Sequence, residues 1–578
     1  MSGGRLSRGG FVDTVVIDGA LGVLAENKQR WARLPVREKI GYLDTLRLRT
    51  NDAAADWVAA ALTAKGLSPT SPLAGEEWMS GPYALLGWLN AALTTLRAVE
   101  RGGDPLEGLK VWARPDGQVV VRVYPTDLWE RLLLNAYAAD VWMDPSVTLD
   151  SLPDTVAAFY RESDPEGAVS LILGAGNIAS IPPLDLVYKL FAQGHVGIVK
   201  TNPVNEYLVP IFERIFAPLI DEGFTRFVRG GAPEGAYLTG HELVDDIHIT
   251  GSARTHDAIV FGSGAEGARR KAERRPLLTK PVTSELGGVS PTIVVPGPWT
   301  EADIGFQAEH LASQKLHNDG YNCIASQVLV LPSGWSGTDK LIGALRSTLA
   351  QVEERPAYYP GSDERQNAAI SHYPAAERLG AGAARTLIVG VDPGDAGAYC
   401  FNEEFFAPVY ATTMLPESDP DDFLRAAVEF SNETLIGTLG ANILIHPKTA
   451  KDLGPRLESA IADLRYGTVA VNTWTGVGFL MGRAPWGAYP GATIDDVQSG
   501  IGFVHNALLF DKPQKTVVGG PFQPFPRAIT QGQFHIAPRP PWFVTSKTAH
   551  IVGERLTRYA ADGKLWRLPG IFSAALRG

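Results

Sequence analysis

Apolar positions in the first hundred residues recur every three or four places. Between Asn27 and Ala64, Trp31, Leu34, Ile40, Leu43, Leu46 and Leu48 return in that rhythm among Arg, Lys and Asp, which predicts amphipathic helix. Pro35 falls where one helix would end and the next begin, because its fixed φ suits a first helical turn. A second helical zone, Glu76 to Arg101, carries Trp78, Tyr83, Leu86, Trp88, Leu89 and Leu93. Gly102-Gly103-Asp104-Pro105 and Pro115-Asp116-Gly117 then break the pattern, and Val119 to Tyr124 reads as a strand.

From there strand and helix patterns alternate. Ala168 to Leu173 is a short apolar run ending in Gly174-Ala175-Gly176; helix (Leu184 to Ala192), strand (Val196 to Lys200) and helix (Val209 to Ile220) follow, then strands at Arg226 to Arg229 and Asp246 to Thr250. Strand, crossover helix, strand in succession implies parallel pairing. Ligands on such sheets bind beyond the carboxyl ends of the strands, where Gly174 to Asn177, Lys200 and Thr250-Gly251-Ser252 fall. Further candidate strands lie at Pro291 to Val295, Gln327 to Leu331, Pro408 to Thr413, Thr438 to Leu444 and Thr468 to Asn472. From Phe510 onward Pro and aromatics accumulate, and the chain ends in a helical pattern with an apolar-basic tail, Lys564 to Arg577. The fold class expected is α/β. There is no internal repeat.

At 578 residues the chain exceeds one compact core, and four regions are expected: a helical layer over 1–150, a first α/β domain over 151–288, a second over 289–509 and an extension over 510–578. The net charge of -11 gives no global attraction to nucleic acid. Two cysteines, Cys323 and Cys400, make no disulfide framework, which fits a reducing cytoplasm. Met1 to Gly10 shows no secretory leader, and no stretch nears the ~20 apolar residues of a spanning helix. A cytoplasmic protein is expected.

The candidate nucleophile is Cys323, in the turn-prone Asn318-Asp319-Gly320-Tyr321-Asn322-Cys323, downstream of Glu285-Leu286-Gly287-Gly288. A thiol and a carboxylate base are the minimum for covalent chemistry at a carbonyl carbon. A lone cysteine is more often an inert core residue; its company here argues otherwise.

Those motifs, in this order, resemble the aldehyde dehydrogenase superfamily over roughly Asn27 to Leu509. The resemblance implies a Rossmann-like cofactor domain beside a catalytic domain, and oxidation of an aldehyde to an acid with NAD or NADP. It implies Cys323 as nucleophile, Glu285 as general base, Leu286 and Gly287 beside it as cofactor-binding, and Asn177 with the Cys323 N–H as oxyanion donors. Lys200 would meet the adenosine ribose, Gly251 and Ser252 the pyrophosphate, and Glu404 and Phe406, in Glu403-Glu404-Phe405-Phe406-Ala407-Pro408, the nicotinamide ribose. No metal is expected, and the partners implied are a small-molecule aldehyde and further copies of the chain, as dimer or tetramer.

Several positions depart from the family pattern. Gly176-Asn177-Ile178-Ala179-Ser180-Ile181-Pro182-Pro183 replaces the usual motif around the oxyanion donor, so Ser180 stands as an alternative to Asn177. Pro203 occupies a place where NAD-preferring members often carry Glu, which opens the way to NADP. An apparent insertion before Glu285 holds Arg269-Arg270-Lys271 and Arg274-Arg275, either a phosphate clamp for NADP or coenzyme A or a solvated helix face. It also holds Gly262-Ser263-Gly264-Ala265-Glu266-Gly267, read as a loop because no strand precedes it. The lysine-serine-glycine ending usual near Pro485-Trp486-Gly487 is altered.

Asn322, Ile324, Trp474, Phe479 and Tyr188 are candidate tunnel walls, favouring an apolar aldehyde. The extension after Phe510 is expected to contact a second subunit. Walling the tunnel mouth or resting on a membrane through Trp566 and Phe572 are the other readings. Against hydrolytic oxidation stand a coenzyme A-acylating relative and a catalytically silent scaffold.

Overall fold

The computed structural model describes residues 12–578; Met1–Gly10, read above for a leader, falls outside the described residues. The first apolar rhythm forms two helices, Thr14–Ala32 and Val36–Lys65, with Pro35 as N-cap of the second. Gly66, at φ 66°, closes that helix in the left-handed conformation that glycine adopts without steric cost. The predicted second zone is interrupted. A short helix, Ala74–Trp78, widens into a π turn over Met79–Tyr83 before Ala84–Glu100 resumes. Pro82 lacks the N–H the ladder needs, and Gly81 leaves helical geometry (φ -110°, ψ -111°).

These helices pack by aromatic contacts. Trp31 lies 5.3 Å from Phe191 and 4.9 Å from Phe224, and Trp57 lies 5.2 Å from Phe212. Three of the layer's tryptophans (Trp31, Trp57, Trp88) are fully buried, and Trp78 is half-buried.

Beneath them is a six-stranded sheet in the order Gly500–Ile501, Val282–Leu286, Asp246–Gly251, Val169–Leu173, Val196–Lys200, Thr225–Val228. The last five run parallel, as the alternation predicts, and only the two-residue edge is antiparallel. Leu173 pairs with Lys200, and Thr250 with Glu285, so the candidate residues gather at one end of the sheet.

A second sheet has eleven strands and a parallel centre of Thr468–Val471, Gly440–Leu444, Ser290–Val294, Ser326–Pro332, Val409–Leu415 and Arg385–Val391. Two boundaries differ from expectation. Val119–Tyr124 is a strand as expected, and with Val111–Ala113 and Ala138–Met143, all within the 1–150 region expected to be mostly helical, it belongs to this sheet. They join it through Pro513–Gly519, which pairs antiparallel with Ala138–Met143 and parallel with Thr468–Val471.

The segment after Phe510, expected to contact another subunit, therefore begins as an interior strand and then docks on its own chain. Arg527 pairs with Asp303 at 2.6 Å, and Arg539 bridges to Glu309. The helix Ala549–Asp562 lies against Ala74–Trp78 so closely that a Cβ on Gly75 would sit 2.5 Å from the Ala549 carbonyl carbon, and one on Gly553 2.9 Å from Trp78 Cβ. Two glycines permit that approach.

Candidate active site

Cys323 follows the helix Glu301–Leu316 through a turn in which Asn318 (φ 53°), Asp319 (φ 56°) and Gly320 (φ 80°) are all left-handed. Left-handed non-glycine residues persist only when their surroundings hold them, and here the holding groups are explicit. The Asn318 N–H donates to Glu76 Oε2 at 3.0 Å, and Arg355 binds both oxygens of Glu76 at 2.8 Å. Lys65 Nζ donates to Asn318 Oδ1 at 3.1 Å and to Glu77 at 2.6 Å. Asn318 Nδ2 in turn donates to the Asn177 carbonyl at 3.1 Å. A buried polar cluster from the N-terminal helices thus fixes the cysteine turn and the Asn177 backbone together.

Glu285 lies in the last two residues of its strand, 3% exposed. The Cys323 Sγ donates to its Oε1 at 3.2 Å. Burial pushes the Glu285 carboxyl up to about 7, against the pull of Cys323 and Trp486. Burial, then the neighbouring Glu285 charge, holds the Cys323 thiol well above its usual value. At rest the pair is a thiol beside a carboxyl poised near neutrality, suited to taking a proton.

Cys323 lines a cavity with about 570 Å³ of empty space, walled mainly by apolar groups that include Ile178, Trp474, Phe479, Trp486 and Trp542. Asn177 lines it too; Ser180 does not, and its hydroxyl is buried without a partner. Asn177 Nδ2 uses one N–H on the Tyr321 carbonyl at 2.9 Å. Asn322 and Ile324 line the cavity as expected, whereas Tyr188 is packed away from it. A larger cavity, with about 1100 Å³ of empty space, between Tyr489 and Lys515 contains none of these residues.

A model of the aldehyde dehydrogenase family matches residues 136–489. The chain belongs to the aldehyde dehydrogenase family. It is 27% identical over 208 residues to 4,4'-diaponeurosporen-aldehyde dehydrogenase of Staphylococcus aureus (34% of this chain, 40% of that one). It is 24% identical over 334 residues to aldehyde dehydrogenase family 3 member A2 of Rattus norvegicus (53% and 64%), so these matches span between 40% and 64% of the relatives' own lengths. Among solved structures, aldehyde dehydrogenase C of Pseudomonas syringae, complexed with NAD+ and octanal, superposes with a TM-score of 0.57 at 18% identity, over 88% of this chain and 90% of that one. An NAD-dependent aldehyde dehydrogenase of Sinorhizobium meliloti gives 0.56 at 18%, over 88% and 87%.

The remaining sequence candidates of this family member sort by place. Lys200 ends its strand half-buried, with Glu206 and Glu234 acting on it. Gly251 and Ser252 form the turn into the helix Ala253–Val260, where Ser252 Oγ accepts the Thr255 N–H at 3.2 Å. Glu404 lies against Gly287, where a Cβ would come within 2.0 Å of its Oε1. Burial lifts the Glu404 carboxyl to about 8, opposed by Lys315 and Arg365, and its Oε1 is buried without a partner. Leu286 is 1% exposed and its N–H is taken by the Ser499 carbonyl, so its side chain stays in the core. Phe406, at φ 42°, stacks its ring among Tyr359 and Tyr321.

The basic residues of the insert pair with carboxylates of their own chain. Arg269 and Arg270 pair with Glu266, Lys271 with Asp257, Arg274 with Asp495 and Arg275 with Glu273. The expected glycine loop is instead the entry to a helix, Gly264–Ala272, with Gly267 packed on the Gly262 carbonyl.

Sequence reasoning missed Trp542 and the Lys65–Glu77 and Arg355–Glu76 pairs. These carried no signal in the sequence.

Proposed function

We propose that the protein oxidises an apolar aldehyde to its carboxylic acid, with NAD or NADP as hydride acceptor. The observation that carries this reading is the 3.2 Å contact of Cys323 Sγ with Glu285 Oε1 at the wall of an apolar cavity shared with Asn177. Glu285 takes the thiol proton, and the sulfur bonds the aldehyde carbon. The oxyanion that forms is met by the second N–H of Asn177 and the Cys323 backbone N–H, donors fixed in advance by the buried cluster behind them. After oxidation a thioester remains on Cys323. Once Glu285 has released the thiol proton, it removes a proton from the water that attacks the thioester and returns it to the departing Cys323 sulfur as the acid leaves.

The residues suit a dinucleotide. Glu404 Oε1 is a buried acceptor without a partner, as a ribose hydroxyl would require, and a Cβ on Gly251 would meet nothing within 4 Å. Glu404, with Gly287 and the Phe406 backbone beside it, would hold the nicotinamide ribose, Gly251 and Ser252 the pyrophosphate, and Lys200 the adenosine ribose. When bound, the dinucleotide supplies the acceptor for the hydride that leaves the aldehyde carbon.

The cavity supports an apolar substrate. Relatives named for 4,4'-diaponeurosporen-aldehyde, coniferyl aldehyde and geranial agree with that. Another is named for N-succinylglutamate 5-semialdehyde, so the lining residues, more than kinship, carry the substrate class. The fully paired arginines of the insert give no support to coenzyme A as acyl acceptor. Association into a dimer or tetramer belongs to the same reading, supported by the exposed Leu128, Phe534 and Trp566. No described helix is long and apolar enough to cross a membrane. Cytoplasmic location is part of the proposal, resting on two free cysteines.

The test is product identification after incubation with octanal or an aryl aldehyde and NAD or NADP, with and without coenzyme A. Free acid from wild type, and none from Cys323→Ala with cofactor binding retained, is the expected result. Acyl-CoA as sole product, or no turnover on any aldehyde, overturns it.

A further inference from the structure

Between the helices Thr338–Gln351 and Ser362–His372 the chain forms neither helix nor strand. That segment is tied to other parts of the molecule at three points. Glu353 accepts from the Ser71 hydroxyl at 3.0 Å, Arg355 binds Glu76, and the Tyr358 hydroxyl reaches the site itself. The hydroxyl lies 3.0 Å from the Asn177 carbonyl and 2.9 Å from Asn318 Oδ1, and shares its one hydrogen between them.

Two side-chain amides are set by these contacts. Tyr358 and Lys65 (at 3.1 Å) both donate to Asn318 Oδ1, which fixes which end of that amide is oxygen. Asn318 Nδ2 is thereby turned to the carbonyls of Asn177 and Tyr321, each at 3.1 Å. Asn177 is held at both ends. Its backbone carbonyl accepts from Tyr358, Asn318 and Lys65 (at 3.4 Å), and its Nδ2 donates to the Tyr321 carbonyl at 2.9 Å. One hydrogen of Nδ2 remains for a ligand in the cavity that Asn177 and Cys323 line.

The ring of Tyr358 is placed as closely as its hydroxyl. Tyr321 meets it edge-on with centroids 5.1 Å apart, and the Lys65 ammonium lies 4.8 Å from its centre. Burial, then the Glu77 charge, pushes the Tyr358 phenol well above its usual value, with Asn318 and Arg355 opposing. The hydroxyl therefore keeps its proton near neutral pH and stays a donor.

We propose that Tyr358 is a positioning residue of the oxyanion site, its hydroxyl holding Asn177 and Asn318 so that Asn177 meets the developing charge with a fixed N–H. The proposal rests on the aldehyde-oxidising reading above. Tyr358 is not among the residues that line the cavity, so it acts through Asn177 and not on the aldehyde. A donor set in place before reaction stabilises an oxyanion more than one that must turn to meet it. Without the hydroxyl, Asn318 Oδ1 keeps only Lys65, whose ammonium is shared with Glu77 at 2.6 Å. The loss should appear where the oxyanion forms and leave other binding alone.

The experiment compares wild type with Tyr358→Phe, which keeps the ring and removes the hydroxyl. The probe is heptyl trifluoromethyl ketone, with the corresponding alcohol beside it. Cys323 adds to the ketone: the S–C bond forms, the C=O becomes C–O⁻ and the thiol proton goes to Glu285. That adduct carries the oxyanion but has no hydride to give up, whereas the alcohol only fills the cavity. Tyr358→Phe should bind the ketone about tenfold more weakly, and the alcohol and NAD within about twofold of wild type. With octanal and NAD, first-turnover cofactor reduction should slow about tenfold while KM for NAD is unchanged. Unchanged affinity for the ketone, equal losses for ketone and alcohol, or loss of NAD binding overturns the proposal. A wild type that neither captures the ketone nor oxidises any aldehyde refutes the functional reading itself, and that control tells the two failures apart.

Discussion

Removing Arg355 tests whether the polar cluster behind the cysteine turn is structural support for the chemistry. In Arg355→Met, Glu76 keeps its buried place and loses the guanidinium that binds both its oxygens at 2.8 Å. The two side chains are 3% and 5% exposed, so water cannot replace the lost partner. Breaking one side of a buried pair costs about 3–5 kcal/mol, which for a chain this long corresponds to a drop of roughly 3 °C in melting midpoint if it unfolds as one unit. Glu76 also accepts the Asn318 N–H, so the left-handed turn loosens, and a misplacement near 1 Å at Cys323 would lower kcat roughly 100-fold. Burial alone would raise the Glu76 carboxyl, but Arg355 and His317 bring it below its ordinary value. A carboxylate depressed in the folded state contributes stability above its unfolded value, near 4.5, and loses it as pH falls through the folded one. The gap between wild type and variant should therefore be full at pH 7 and shrink below about pH 4. Denaturant melts at both pH values, with Arg355→Met/Glu76→Gln as the second variant, provide the assay. A loss under about 1 kcal/mol at pH 7, or a double variant no more stable than the single, refutes the reasoning.

Other outcomes follow from the same geometry. Because burial sets Glu285 at about 7, the thioester-release rate should climb about tenfold per pH unit below that value and level off above it. Glu285→Gln should flatten the profile and slow release by roughly 100- to 10,000-fold in stopped-flow measurements. Trp542→Ala removes a cavity wall and should raise KM for octanal about tenfold or more while improving relative kcat/KM for bulkier aldehydes; an unchanged ratio would show that the segment after Phe510 does not shape selectivity. Glu206 and Glu234 both act on Lys200, so a 2′-phosphate placed there would meet two carboxylates. The kcat/KM for NAD should exceed that for NADP by about tenfold, and equal values would remove Lys200 from the ribose site.

Local pattern made much of this legible. Periods near 3.6 and 2, broken by Pro and Gly, placed the N-terminal helices and the parallel strands within a few residues, because those periods record which face of an element leaves water. Short motifs marked Cys323, Glu285, Asn177, Lys200 and Gly251, whose neighbours in sequence are also their neighbours in space. Ala138–Met143 and Pro513–Gly519 were missed as strands: the pairing that joins them to each other runs across hundreds of residues.

The sequence by itself determined the alternation of helix and strand, the glycine turns and the positions of the candidate nucleophile and base, since each is written in residues close together along the chain. Only tertiary structure decided that Asn177 and not Ser180 lines the cavity with Cys323, that Trp542 walls it, and that Lys65 and Arg355 hold the cysteine turn. Those contacts join positions up to several hundred residues apart, and burial, which sets the proton affinities of Cys323 and Glu285, is a property of the packed whole.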